Sequence, residues 1–197
     1  MPRPTSPLPP DAANLRQAAL TYLARYAATE ASLRRILTKR LDRWAQAQAD
    51  PDSAAAVVAA ARQAIEAVVA AMVRAGAVSD AGFAEGRARS LIRSGRSRRA
   101  VQARLLAKGV PLDLARRAAG DDAETELAAA LIMTRRRRIG PFRSAEPEDL
   151  AAARRKELAI LARAGFARDT VEQVLDMDAG EAERRIRALR SDQAIIG

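Results

Sequence analysis

Arginine and lysine side chains recur at helical spacing in three parts of this chain, and they are its best candidates for chemistry. Arg35, Lys39 and Arg43 follow one another at intervals of four residues, which places them on one face of an α-helix. Two further groups are Arg93, Arg96, Arg98, Arg99, Arg104 and Lys108, and the run Arg135, Arg136, Arg137 and Arg138. Because guanidinium groups form paired hydrogen bonds with phosphates and carboxylates, these groups predict binding to a polyanion or to an acidic protein face.

The same residues have a simpler interpretation. Charged side chains on short helices commonly serve only to solvate a surface, and four arginines near a helix C-terminus also interact favourably with the helix dipole. The charge distribution favours binding. Residues 80–119 contain ten Lys and Arg against three Asp and Glu, residues 12–49 contain seven against two, and residues 135–143 contain five against none. Three separate basic blocks favour a long anionic partner over one compact pocket.

The sequence offers little support for catalysis. It contains no Cys and no His, which excludes disulfides, thiolate catalysis, Cys/His zinc sites and imidazole bases. Asp121, Asp122, Glu124 and Glu126 suggest a Mg²⁺ cluster, but acids are expected at these positions as caps of a following helix. There is no Walker loop and no dinucleotide fingerprint. We therefore predict no enzymatic activity, no catalytic residue, no metal and no cofactor.

The elements that must position these residues are helices. Ala, Leu and Arg dominate, and stretches that alternate β-branched with polar residues are absent, so the fold class is all-α. Ser97 is a good N-cap, Gly109 stands where a left-handed residue would end that helix, and Pro111 prevents its continuation. Similar signals predict further helices. Their ranges are 11–28, from Thr29, 54–75 after the cap Ser53, 80–95, 97–109, 112–118, from Asp121 or Asp122 to 138, from Pro147 or Glu148 to 164, from Asp169, and 180–191.

Helical spacing also predicts which side chains are buried. Tyr26 falls on the inward face of the first helix, while Arg40 falls on the apolar side of the second and would have to extend its charge outward. Leu106 belongs to the apolar face of the 97–109 helix, together with Val101 and Leu105. Four aromatic side chains are expected to anchor the core; these are Trp44, Phe83, Phe142 and Phe166.

The helices group into a tandem array of three modules with three helices each. We predict a disordered tail at 1–11, modules at 12–79, 80–119 and 120–178, and a charged helix or tail at 179–197 that projects or frays. KGVPLDLARRA at 108–118 and AGFARDTVEQV at 164–174 share a Gly, an apolar residue after it and an Asp four positions after it. The first module lacks that Gly, so it is at best a diverged copy.

A soluble intracellular protein is expected. The N-terminus MPRPTSPLPP has no apolar core of a signal peptide, and absence of Cys fits a reducing cytoplasm. The most apolar run, residues 54–73, contains Arg62, Gln63 and Glu66 and is a poor membrane span. The predicted location is the cytoplasm, without membrane association.

Four stretches of the sequence form a pattern of their own. They are YLAR at 22–25 followed by Leu33, AGAVSDAGFAE at 75–85, GRSRRAVQARLLAKGV at 95–110 and LARAGFARDTVEQVL at 161–175. In these stretches the chain resembles the RecX family of bacterial recombination regulators. The order and spacing match across residues 15–176, and the 80–110 block is the most specific. Departures from the family pattern are the Ala-rich segment 45–61, the longer link 141–153 and the residues past Asp178.

The resemblance implies a fold of three tandem three-helix repeats in an elongated, curved molecule. It also implies a monomeric regulator that associates with the RecA recombinase filament, usually inhibits recombination and has some affinity for DNA. Two alternatives stay open: a general basic DNA-binding architectural protein that acts without a recombinase, and an adaptor for an unrelated acidic protein.

Overall fold

The computed structural model describes residues 10–48, 50–145 and 147–195. These residues form ten α-helices and a short 3₁₀ turn at Gly140–Phe142, with no β-strand among them, so the all-α prediction is confirmed. The helices are α1 (Ala12–Leu23), α2 (Glu30–Gln46), α3 (Pro51–Arg74), α4 (Asp80–Arg93), α5 (Arg98–Leu106), α6 (Leu112–Ala119), α7 (Ala123–Arg137), α8 (Leu150–Arg163), α9 (Arg168–Asp176) and α10 (Ala179–Ile195). The predicted tail 1–11 lies outside the described residues except for Pro10 and Asp11.

The described chain forms two compact units. The first unit contains the residues up to Phe83 together with Lys108–Val110, and the second contains Ala84–Ala107 and the residues from Pro111 onward. The division into three tandem modules stays a prediction.

The first unit is a bundle of α1, α2 and α3. Asp11 begins α1 by accepting a hydrogen bond from Asn14 N at 2.8 Å, and Thr29 begins α2 by accepting one from Ser32 N at 3.0 Å. Each of the three helices contributes one apolar stripe to the core. The core residues include Leu15 and Ala19 of α1, Leu33, Leu37, Leu41 and Trp44 of α2, and Ile65, Val69 and Met72 of α3. Burial of each large apolar side chain contributes roughly 1.5–3 kcal/mol.

Three burial predictions in the first unit had different outcomes. The prediction that Tyr26 is buried is wrong, because α1 ends at Leu23 and the Tyr26 side chain is 57% exposed. Thr29 must adopt an extended conformation to cap α2, so the chain leaves the helix several residues earlier than expected. Trp44 is buried as predicted, while Phe83 is only half-buried.

Among the described residues, one helix is long and apolar enough to cross a membrane, judged by length and composition. This helix is α3, at Ala54–Arg74. In this fold it packs Ala61, Ile65 and Val69 into the core of the first unit. Its outer surface carries Glu66, which forms an ion pair with Arg34 of α2 at 2.8 Å. The packing therefore accounts for only part of its apolar character, because 28% of the apolar window is buried. The helix begins at Pro51, not after Ser53, because proline is favourable in the first turn.

The second unit is built around α7, where seven residues from Leu127 to Thr134 are buried. Helices α9 and α10 and the Gly140–Phe142 turn pack against α7, and α5 packs against α6. On α5, Val101 and Leu105 are buried as predicted. Leu106 is 43% exposed, contrary to prediction, because it lies about 100° around the helix from Leu105 and outside the buried stripe. Phe166 is buried and Phe142 is half-buried.

Helix α10 does not project from the fold. Ala182, Ile186 and Leu189 form an apolar stripe on one face and are buried. Arg185 joins this helix to Glu124 of α7 with a nitrogen-to-oxygen distance of 2.5 Å. The expectation of a projecting or fraying helix is therefore wrong for the described part of α10.

A buried hydroxyl group joins distant helix ends twice in the chain. The Thr29 hydroxyl donates to Lys108 O at 2.6 Å within the first unit, and the Ser97 hydroxyl donates to Ala164 O at 2.6 Å within the second. Each acceptor carbonyl directly precedes a left-handed glycine, Gly109 (φ +82°) or Gly165 (φ +92°). A Cβ atom on Gly109 would lie 2.3 Å from the Ala31 Cβ, and one on Gly165 would lie 2.8 Å from the Ser97 Oγ. The glycine shared by the two predicted repeats therefore corresponds to one kind of contact, made twice.

Candidate functional site

The three basic residues on α2 are exposed. Arg35, Lys39 and Arg43 lie on the face opposite the buried Leu33–Leu37–Leu41 stripe. Arg43 Nε donates to Lys39 O at 3.2 Å. The structure thus presents this stripe to solvent, in the first unit.

The basic residues predicted at 93–108 do not form one group. Arg93, Arg99 and Arg104 are exposed, and none of them lines the two arginine-containing depressions of the second unit. Lys108 is also exposed, and it belongs to the first unit. Arg96 and Arg98 lie in two different depressions of the second unit.

The run of four arginines at the end of α7 separates into different roles. Arg135 forms an ion pair with Glu183 of α10 at 3.2 Å, and both side chains are about one-third exposed. Arg136 Nη1 donates to Ser94 O at 2.8 Å, while Arg137 is exposed. Arg138 ends the helix in a left-handed conformation with φ 54°. The sequence pattern did not show that Arg135 forms an ion pair within the fold while Arg137 is exposed to solvent.

Arg96, Arg136 and Arg137 surround a small depression, which we call the arginine pocket. Ser94, Gly95 and Met133 complete its lining, and no carboxylate lines it among the described residues. Gly95 makes this grouping possible, since a Cβ atom there would lie 2.9 Å from Met133 N. The loop before α5 therefore lies directly against α7, and Arg96 comes next to the last turn of that helix. Three guanidinium groups in one depression form a strong anion-binding surface.

A second depression contains Arg98, Arg116 and Arg117, with Gln102 and Asp121 in its lining. Sequence reasoning did not select Arg116 and Arg117, although both follow at 116–117 in the basic 80–119 block. Arg117 contacts Asp113 at 3.3 Å, and both side chains are 72% exposed, so this ion pair contributes little to stability. Because Asp121 also lines the depression, its positive charge is weaker than that of the arginine pocket.

Three of the acidic residues at 121–126 bond to helix ends or to an arginine. Asp122 accepts from Thr125 N at 2.7 Å, and hydrogen bonds from Thr125 lower its pKa. Glu126 accepts from Arg98 N at 2.8 Å, and burial raises its pKa. Glu124 pairs with Arg185. No group of three potential metal ligands occurs in the described part of the chain.

The comparisons with known proteins agree with this architecture. The profile of the RecX second three-helix domain matches residues 79–118. The chain is 38% identical to the regulatory protein RecX of Myxococcus xanthus (strain DK1622), over 82% of this chain and 84% of the relative. The chain belongs to the RecX family.

Two other RecX proteins support this assignment. The regulatory protein RecX of Agrobacterium fabrum (strain C58) is 37% identical over 54% of this chain and 56% of its own length. The crystal structure of RecX from Lactobacillus salivarius matches with a TM-score of 0.58, covering 84% of this chain and 97% of that chain. At 16% identity, this structural match shows the fold. The arginine pocket thus belongs to a RecX-type helical protein, with Arg96 inside the matched domain.

Proposed function

We propose that this protein binds the RecA recombinase filament and modulates its activity, with inhibition as the expected direction, and thereby regulates DNA repair and recombination. Membership of a family whose relatives are named regulatory proteins is the observation that carries the proposal. The protein would act as a monomer in the cytoplasm, without catalysis and without a cofactor.

The arginine pocket is the proposed filament contact in the second unit. Arg96 and Arg137 are exposed, and no carboxylate lines the pocket among the described residues, so both are available for phosphates of the filament DNA or for acidic side chains of its protein. The exposed stripe Arg35, Lys39 and Arg43 supplies a further basic surface in the first unit. Contacts of this kind weaken with salt, because binding releases counterions from the DNA.

The experiment measures the ATPase activity of a bacterial RecA assembled on single-stranded DNA while this protein is added. We expect the activity to fall and the protein to pellet with the filament. The double variant Arg96→Glu with Arg137→Glu should weaken both effects at least tenfold. The control, Arg163→Glu with Arg187→Glu, makes the same charge change at two exposed positions of the same unit. No co-pelleting together with unchanged ATPase activity would reject the proposal.

The basic clusters also support a second candidate, a DNA-binding architectural protein that acts without a recombinase. Measurements of DNA binding and of filament regulation, made on the wild type and on the same double variant, distinguish the two functions. If Arg96→Glu with Arg137→Glu abolishes binding to DNA while regulation of the filament persists, phosphate contacts are not the mechanism of regulation. If the wild-type protein binds DNA and leaves the recombinase unaffected, the architectural function is correct.

A further inference from the structure

A groove between α1 and α2 in the first unit combines aromatic and basic side chains. We call it the tyrosine groove, because Tyr22 and Tyr26 form one wall. Arg25, Arg40 and Arg43 lie around it, and Gln17 and Thr21 of α1 supply further polar groups. All of these residues belong to the first unit, so the groove is separate from the arginine pocket.

The two tyrosines are arranged as a stacking surface. Tyr22 is half-buried and packs against the core, and the centroid of its ring lies 5.1 Å from that of Tyr26, with the ring planes 37° apart. Tyr26 is the more exposed of the two, with 57% of the residue open to solvent. Its ring is therefore held on the Tyr22 ring, while much of its surface is left uncovered.

The charged side chains that line the groove are all basic. Arg25 and Arg43 are exposed, and Arg40 is half-buried and lines the groove. No carboxylate lines the groove among the described residues, although Asp11 bonds to Asn14 in its wall. An anionic ligand is therefore favoured.

We propose that the tyrosine groove binds single-stranded nucleic acid, with a base stacked on Tyr26 and backbone phosphates on Arg25, Arg40 and Arg43. Unpaired bases expose their faces, and stacking on aromatic side chains combined with basic contacts to the backbone is the usual mode of binding to single strands. A duplex keeps its bases stacked on one another and would leave Tyr26 without a partner. An acidic peptide would satisfy the arginines without using the exposed ring. This activity does not depend on the proposed binding to the recombinase.

The test uses fluorescence anisotropy with two labelled oligonucleotides of about 15 nucleotides. One is oligo(dT), and the other has the same backbone with abasic sites at every unlabelled position. We expect the wild-type protein to bind oligo(dT) more tightly than the abasic strand. Tyr26→Ala should weaken binding to oligo(dT) by roughly 5- to 150-fold, the usual effect of removing one stacking side chain. It should leave binding to the abasic strand nearly unchanged, while Tyr26→Phe should bind oligo(dT) like the wild type.

The arginines need their own variants. Arg25→Ala and Arg43→Ala should weaken binding to both strands and make it less sensitive to salt, because each removes a phosphate contact. Arg16→Ala is the matched control, an exposed arginine of α1 that does not line the groove. All these side chains are exposed, so circular dichroism should show folded proteins. Equal effects of Tyr26→Ala on both strands, or loss of binding only in the arginine-pocket variant Arg96→Glu with Arg137→Glu, would overturn the proposal. Binding to an acidic peptide in place of oligo(dT) would overturn it as well.

Discussion

The buried hydroxyl of Thr29 acts as both acceptor and donor: it accepts from Ser32 N at 3.0 Å and donates to Lys108 O at 2.6 Å. One side chain therefore begins α2 and also fixes the Lys108–Val110 segment, which lies 79 residues further along the chain. Ser97 repeats the arrangement, with Ala100 N as donor and Ala164 O as acceptor. Since a cap otherwise stabilises only its own helix, this double use makes each hydroxyl a long-range contact.

Replacement of Thr29 by Val should destabilise the protein by roughly 1–3 kcal/mol, because Val has the same shape but cannot cap α2 or donate to the Lys108 carbonyl. That carbonyl would keep only the longer hydrogen bond from the Ser32 hydroxyl, at 3.2 Å. Thr29→Ser keeps the hydroxyl and should lose less than half as much. The measurement is urea unfolding followed by circular dichroism. Equal stabilities of the Val and Ser variants would show that the hydroxyl does not contribute.

Gly109→Ala should be more destabilising than Gly76→Ala. Both glycines belong to the first unit and are left-handed, with φ +82° and +70°, so each substitution costs about 1–2 kcal/mol from backbone conformation. A Cβ atom on Gly109 would also collide with Ala31, whereas nothing lies within 4 Å of a Cβ on Gly76. Thermal unfolding of the two variants measures the difference. Similar melting temperatures would contradict the close contact at Gly109.

The free energy of unfolding should depend on pH through the carboxyl group of Glu157. Burial alone would raise the pKa of this carboxyl, but hydrogen bonds from Arg143 and Gly140 N together lower it below the ordinary value of 4.5. A lowered pKa means that the unfolded chain binds the proton more tightly, so the stabilisation is present above pH 4.5 and is lost as the pH falls through the folded-state pKa.

Glu157→Gln should therefore reduce stability near neutral pH, by roughly 1.5–3 kcal/mol for a lost hydrogen bond to a charged group. The difference from the wild type should shrink as the pH falls below 4.5. Urea unfolding at a series of pH values measures this. Glu85→Gln is a control, since it makes the same change at an exposed position in the middle of α4. A constant difference between wild type and Glu157→Gln at all pH values would be inconsistent with this role.

Substitution of Arg135 by Ala should affect stability, whereas substitution of Arg137 by Ala should affect DNA binding. Arg135→Ala removes the partner of Glu183 on α10 and should lower stability by up to about 1 kcal/mol, with little effect on DNA binding. Arg137→Ala should leave stability unchanged and reduce the slope of log affinity against log salt by about 1, as expected for one lost phosphate contact. Salt titrations of binding to DNA, with parallel unfolding experiments, test this pair. Identical salt slopes in the two variants would contradict the assignment.

Much of the helical fold follows from local signals in the sequence. Asp11, Thr29, Ser97 and Asp122 cap helices as predicted, because a side-chain oxygen at the first residue satisfies a backbone N–H that has no other partner. Tyr26 was misplaced because helical spacing says nothing about where a helix must end to let the next one begin.

The grouping of the arginines could not be read from spacing. Arg135 and Arg137 are two residues apart and lie about 200° apart around α7, so each meets a different neighbour. Which one finds a carboxylate depends on the packing of α10, and which one joins Arg96 depends on the close approach at Gly95. Both are properties of tertiary structure that no single helix encodes.

The apolar helix α3 has a consequence for the life of this protein in a cell. During synthesis, or after a mutation that loosens α1 or α2, the core-facing side chains of this segment, among them Ile65, Val69 and Met72, would be exposed to the surrounding medium. Chaperones, proteases and lipid bilayers would then compete for it. The core side chains of the first bundle therefore protect the chain from misdirection and aggregation, in addition to holding its basic surfaces in place.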